Sequence, residues 1–369
     1  MLAWLRQRAR PVPDRWCGVR LEGLLLVPYP ARGHVAPFLR LGMELAQRRI
    51  PVRMIVAPHH IPAVAATGVV PVPAGSEAGA HVPPGWRLPD LMARRAAAAR
   101  RRQTVREVSA AFDREVTAFP PAAVLVDPHA RWLRNLPGSV QRVWLWTTSS
   151  SASRSAAPAL LNGLSALTGP SRPGCVQPRF VGPMHGGLPV PGADFPYHRL
   201  TGGALLVVSF GTVFERRPGV LRRIAWSFRG TPWEVVLSAG RTDLAELGPM
   251  PDNVIVAADI PQEKLLRRAS VLLTHGGMNS VLEAAAAGVP MLFAPRSGEQ
   301  RRTARRVAEL GAGALLEPGV SLVRQVERAW RDERIADGAR RLRGLVDAAP
   351  SIAEAADVLV ELAGLASVC

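Results

Sequence analysis

The chain has 369 residues, 48% of them hydrophobic, with 33 glycines and 34 prolines, a length that suits two domains each burying its own core. There are 46 basic residues against 29 acidic ones, a formal net charge of +17, and every basic residue except Lys264 is an arginine. No apolar run is long enough to span a membrane, Cys17, Cys175 and Cys369 lack metal-ligand spacing, and neither Gly-x-x-x-x-Gly-Lys nor Asp-x-Asp occurs.

Met1–Leu5 is too short for a signal-peptide core, so a cytoplasmic protein is expected, with thiols that fit a reducing compartment. The arginine excess reads mainly as compositional bias. It would still attract anions, and an anionic membrane surface stays open as a contact. Nucleic acid is not indicated, because neither interleaved aromatics nor a known binding module accompanies the charge.

Residues 1–20, rich in arginine and proline, read as an N-terminal extension. Leu24–Val27 is short, apolar and unbroken, the pattern of a buried parallel strand. A loop over 28–34, a helix from about Pro37 to Arg48 and a strand over Val52–Ala57 follow. Leu91–Phe119 reads as helix, and Ala123–Val126 and Val143–Trp146 as strands. Little chain lies between Ala57 and Leu91 for loops that would shape a binding pocket. Strands alternating with helices predict a doubly wound parallel sheet over 21–183.

Proline and glycine then mark a linker, bounded at 184–202. A second alternation fills 203–350, with strands at Ala204–Ser209, Trp233–Leu237, Val254–Val256, Val271–Thr274, Met291–Ala294 and Gly313–Leu316. Helices are expected at Leu221–Ser227, Val281–Ala287 and after Gln300. A final amphipathic helix, about Ile352–Ala363, lies in 351–369. The halves share an architecture and no sequence repeat.

Chemistry concentrates at one turn. Between the strand ending at Thr274 and the helix after Ser280 stands His275-Gly276-Gly277-Met278-Asn279-Ser280, followed by Glu283, Gly288-Val289-Pro290 and Glu299-Gln300. Glycines let the backbone approach a ligand, and the helix N-terminus suits a phosphate. Carboxylate and amide groups further on can reach the rest of the same ligand, which outlines a nucleotide-sugar site. His34, after the first strand, sits at the edge where doubly wound sheets bind ligands, and a neutral imidazole suits proton abstraction.

The stretch from Asp259 to Gln300, carrying Pro261-Gln262, Thr274–Ser280, Leu282-Glu283, Gly288–Pro290 and Glu299-Gln300, resembles the donor signature of the UDP-glycosyltransferases, most closely the bacterial macrolide type. That resemblance implies a GT-B fold: two Rossmann-like domains facing across a cleft, with the last helix crossing back to the first. Phe180-Val-Gly-Pro183 resembles the segment closing the first domain. The family places its catalytic base at a position matching His34, oriented by an aspartate matching Asp127.

Ser209-Phe210-Gly211-Thr212 resembles the family's phosphate loop. By the same resemblance His275, Gly277, Asn279 and Ser280 also meet the diphosphate. Gln262 meets the base, Glu283 the ribose, and Glu299 and Gln300 the sugar hydroxyls, which favours glucose. Asp259 stands where plant members stack an aromatic on the base, which leaves room for a thymidine donor.

The expected activity is inverting, metal-independent transfer to a hydroxyl of a hydrophobic natural product, with a nucleotide sugar as co-substrate and no bound cofactor. Trp86, Trp132, Trp144 and Trp146 are candidates to line an apolar acceptor pocket. Arg296, Arg301 and Arg302 could add positive field at the diphosphate. The chain is expected as monomer or homodimer. Alternatives are a TDP-deoxysugar donor, a lipid acceptor at an anionic membrane, or a non-catalytic partner with this fold. Residue by residue, plainer roles remain: a helix cap for His34 or Asp127, an ordinary turn for Ser209–Thr212, and a solvated pair for Glu299 and Gln300.

Overall fold

Short, wholly buried strands such as Leu24–Val27, Ala123–Val126 and Val271–Thr274 can hide every side chain only if helices cover both faces of their sheet. The computed structural model describes residues 23–75, 90–130, 133, 140–147, 157–168, 178–186, 195–211, 218–240 and 242–365. Within them the first half runs β1 (Leu24–Val27), α1 (Arg32–Gln47), β2 (Val52–Val56), α2 (Ile61–Ala65), β3 (Val70–Pro73), α3 (Asp90–Ala118), β4 (Ala123–Val126), β5 (Gln141–Trp146), β6 (Ala159–Leu161), α4 (Ser165–Thr168) and β7 (Arg179–Phe180). These strands form one parallel sheet in the order β3-β2-β1-β4-β5-β6-β7.

The second half runs β8 (Leu205–Ser209), α5 (Pro218–Ser227), β9 (Glu234–Ser238), α6 (Leu244–Leu247), β10 (Val254–Ala257), α7 (Gln262–Leu266), β11 (Val271–Thr274), α8 (Met278–Ala287), β12 (Met291–Phe293), α9 (Gly298–Glu309), β13 (Gly313–Leu315), α10 (Leu322–Arg331), α11 (Glu333–Asp347) and α12 (Ile352–Leu362). Its parallel sheet has the order β10-β9-β8-β11-β12-β13. Both halves are Rossmann-like, as the GT-B resemblance implies.

Each order has one point where the winding reverses, and the crevice there is where ligands of such sheets bind. In the first sheet it lies between β1 and β4, in the second between β8 and β11. β1 leads through a short loop to His34 in the first turn of α1, and the ends of the other three strands carry Asp127, Ser209 and His275.

Two exchanges tie the halves. Helix α12 follows the second half yet buries Ala355, Ala356, Val358 and Leu359 in the core of the first, against α1. Arg48, the C-cap of α1, donates to the carbonyl of Ala353 at 2.9 Å and to Asp357. In the other direction Leu164 and Leu167, around α4, sit in the core of the second half. Arg306 of α9 donates to the Ala166 carbonyl at 2.7 Å.

Several expectations are corrected. Helix α1 begins at Arg32, five residues before Pro37, and runs through that proline. A proline suits the first helical turn, so sequence alone favours the later start. β3, β6, β7, α10 and α11 were not foreseen, being short, proline-bearing or strongly polar. Trp144 and Trp146 take the plainer of their two roles and lie in the core beneath α3. Trp86 and Trp132 fall outside the described residues.

Candidate active site between two facing sheet edges

Three adjacent strands of the first sheet, β1, β4 and β5, end together and deliver His34, Asp127 and Thr147. Nδ1 of His34 lies 2.7 Å from Oδ2 of Asp127. Oγ1 of Thr147 is 2.7 Å from the same Nδ1, and the Thr147 hydroxyl donates to Oδ2 at 3.2 Å. With its Nδ1 proton held this way, the ring presents an Nε2 lone pair, the tautomer a general base needs.

Asp127 is fully buried. Its Oδ1 accepts from the backbone N–H of His129 at 2.8 Å and lies 3.0 Å from His129 Nδ1. Burial alone would raise this carboxyl, but His34 and His129 beside it hold it well below the usual carboxylate range. Asp127 therefore both caps its own turn and orients His34. Tyr29 packs edge-on against His34, ring centroids 5.2 Å apart, and burial raises its hydroxyl.

Neither His129 nor Thr147 was singled out in the sequence. His129 follows Asp127 by two residues, the offset of a side-chain–backbone turn, which is a signal that could have been used. Thr147 has none, because only the pairing of β4 with β5 brings it in. Among the described residues, His34, Asp127 and His129 are the one group whose ligating atoms, within 4.8 Å of one another, could hold a metal ion. Both imidazoles there already face carboxylate oxygens, an arrangement suited to a base and its orienter.

In the second half, Thr274 pairs with Ser209 across β11 and β8, so His275 rises beside Ser209-Phe210-Gly211. The ring fits only because glycines flank it. A Cβ on Gly277 would lie 2.6 Å from Nε2 of His275, and one on Gly211 2.9 Å from Cε1, with Gly211 at a φ of +75° that also favours glycine. Burial pushes His275 down to about 4, against a hydrogen bond to the Ser209 backbone that favours the charged form. The ring is neutral at pH 7. Arg296, whose guanidinium lies 5.7 Å above the Phe210 ring, adds to the downward push. Arg301 and Arg302 are exposed, and Thr212 lies outside the described residues.

Ser280, Glu283 and Gln262 form one group on α8 and α7. The Gln262 amide donates to Ser280 Oγ at 3.1 Å and to Glu283 Oε2 at 2.7 Å. Asn279, in the first turn of α8, reaches across the cleft and donates to the backbone carbonyl of Gly33. That carbonyl is available because its partner four residues on, Pro37, has no N–H. The two carboxyl-side edges thus meet one residue from His34.

Helices α9 and α12 begin with reciprocal serine capping boxes, while α1 and α8, whose N-termini meet here, have no side-chain cap. His34 N–H donates to the Ala31 carbonyl at 2.8 Å, and the remaining first-turn N–H groups put two positive helix ends side by side, an arrangement that suits an anion. Glu299 and Gln300 lie at the start of α9. Glu299 is half-buried, but Gln300 is buried and its side-chain carbonyl accepts from the backbone N–H of Arg296 at 2.9 Å and Ser297 at 3.2 Å. It is not the solvated amide considered from sequence, and only its NH2 group remains to meet a sugar.

Residues 230–362 match the family described as erythromycin biosynthesis protein CIII-like, C-terminal domain. Demethyllactenocin mycarosyltransferase from Streptomyces fradiae is 39% identical over 163 residues, 43% of this chain and 35% of that protein. NDP-glycosyltransferase YjiC from Bacillus licheniformis is 36% identical over 140 residues, 38% of this chain and 35% of the relative. Both matches span about a third of the relatives' own length. Across 93% of this chain and 99% of the other, the structure resembles the glycotransferase of kitacinnamycin, with a TM-score of 0.72 at 22% identity. The fold is GT-B.

Proposed function

We propose that this chain, with its EryCIII-like C-terminal domain on a GT-B fold, is an inverting glycosyltransferase. It would take a nucleotide sugar as donor and a hydroxyl of a hydrophobic natural product as acceptor. His34 Nε2 takes the acceptor proton, and the freed oxygen attacks the anomeric carbon. The bond from that carbon to the diphosphate oxygen breaks on the opposite face, and the nucleoside diphosphate leaves. Asp127 stabilises the imidazolium formed on the way, the role a buried carboxylate plays beside a histidine base.

The uncapped ends of α1 and α8, with Ser209, Gly211, Asn279 and Ser280, offset the charge developing on the leaving group. Neutral His275 can donate to a phosphate oxygen with either the N–H it now spends on Ser209 or a proton the dianion draws to it. Glu283 accepts from ribose hydroxyls, Gln262 faces the base, and Gly277 leaves room for His275. The contact of Asn279 with Gly33 carries the proposal, since it sets the phosphate niche against the His34–Asp127 pair.

Replacing His34 with alanine should abolish transfer and leave nucleotide affinity within about twofold, because catalysis by a positioned base supplies roughly 10²–10⁴-fold. Kinetics and calorimetry on the same preparation check this; equal loss of both would make His34 structural. Glucose as the sugar is the reading that Glu299 and Gln300 support, with UDP the nucleotide the family resemblance favours. The Gln300 carbonyl, spent on its cap, leaves fewer groups to match a fully hydroxylated sugar and favours a second reading, a TDP-deoxysugar donor. Mass-spectrometric comparison of UDP- and TDP-sugars over a panel of aglycones separates them.

A further inference from the structure

The least expected charge in the molecule is a buried one. Arg40, in the middle of α1, is almost completely covered, where an arginine is rarely found unless it is paired. Its three nitrogens take three different directions. Nε donates to the carbonyl of Gly186 at 2.9 Å and Nη1 to that of Met184 at 3.0 Å, both in the segment that leaves the first sheet. Nη2 donates to the Glu263 carboxylate on α7 and stands 3.8 Å from Oε1 of Glu283 on α8. Glu263 in turn accepts from the backbone N–H of Gly186 at 2.9 Å.

One side chain of the first half therefore grips the connecting segment and both helices that carry Gln262 and Glu283. We infer that Arg40 is a positioning residue: it clamps the second half against the first and sets Glu283 and Gln262 where a donor nucleoside must meet them. This rests on the transferase reading for the identity of the ligand, and on geometry alone for the clamp. The network acts as a unit, because Glu263 fixes Gly186 while Arg40 fixes Glu263. Glu283, whose other oxygen holds Gln262, is oriented by the same cation. Lysine cannot replace this fork, having one point charge where the guanidinium presents separated donors in a plane.

The test compares wild type with Arg40→Met, Arg40→Lys and Glu263→Gln, the last being the mildest because Glu263 is partly exposed. Small-angle scattering without ligand reads the clamp, and calorimetry with UDP and with dTDP reads the pocket. Steady-state kinetics separates KM from kcat. Arg40→Met should enlarge the radius of gyration and weaken nucleotide binding about tenfold or more, since truncating one partner of a buried charge pair leaves the other unpaired. Donor KM should rise with it by more than kcat falls, because the halves still close on bound donor and the His34–Asp127 hydrogen bond itself is untouched. Glu263→Gln should move the same readouts less, and Arg40→Lys should recover only part.

A purely structural role would lower Tm and leave affinity and KM unchanged in the folded variants, which overturns the inference. Should wild type bind neither nucleotide, the transferase reading falls. The clamp is then judged by scattering, where an unchanged Arg40→Met and Glu263→Gln overturn it as well.

Discussion

Thr147 directly follows β5, with its hydroxyl between the imidazole of His34 and the carboxylate of Asp127. Replacement by valine keeps the shape and removes the hydroxyl, so the ring loses one of the two groups that hold its tautomer. We expect kcat to fall about tenfold, a part of what a positioned base contributes, with nucleotide affinity unchanged; steady-state kinetics would show an unaltered kcat if the hydroxyl is idle. His275 gives a pH prediction. Its folded value, about 4, is below its ordinary value of 6.5, so the unfolded chain binds more protons between those limits. Its contribution to stability is then complete above pH 6.5 and lost as pH falls towards 4, on the order of 3 kcal/mol. Denaturant unfolding at pH 7 and pH 4.5 should show this loss in wild type and a smaller one in His275→Asn. Asp127 also contributes stability that disappears on acidification, but in a lower window, since its folded value is depressed from 3.8.

At the scale of elements, the early start of α1 decides how the halves meet. Pro37 cannot donate to the Gly33 carbonyl, and Asn279 does so instead. In Pro37→Ala the new N–H can close the helical bond and compete with Asn279. The helix should gain up to about 3 kcal/mol, the usual burden of an interior proline, while the bridge between the sheet edges weakens. Thermal unfolding should report a higher Tm together with a raised donor KM. A higher Tm with unchanged KM would mean that the bridge contributes nothing to donor binding. The contrast between boxed helices α9 and α12 and uncapped α1 and α8 follows from ordinary capping chemistry. Ser297 and Ser351 cap their helices through local bonds, whereas the bareness of the other two acquires meaning only when their ends converge.

Across the whole molecule, the second half's last helix completes the first half's core. Leu359 is fully buried there with Leu41, Leu45 and Leu145. Leu359→Ala should cost about 3 kcal/mol, read by denaturant unfolding as earlier loss of the first half although the residue lies ten positions from the C-terminus. Unfolding that begins in the second half would contradict the crossing. The alternation of strands and helices was legible along the chain, because buried parallel strands need unbroken apolar runs and those runs are local. The candidate turns were legible for the same reason, since the motif around His275 and the resemblance it bears are read along the chain. What needed the folded molecule is that Thr147 joins His34 and Asp127, that Asn279 reaches Gly33, and that Arg40 reaches Glu263. Those pairings span up to 246 positions, and distances between residues so far apart are set by sheet order and packing of the halves, which no local pattern records.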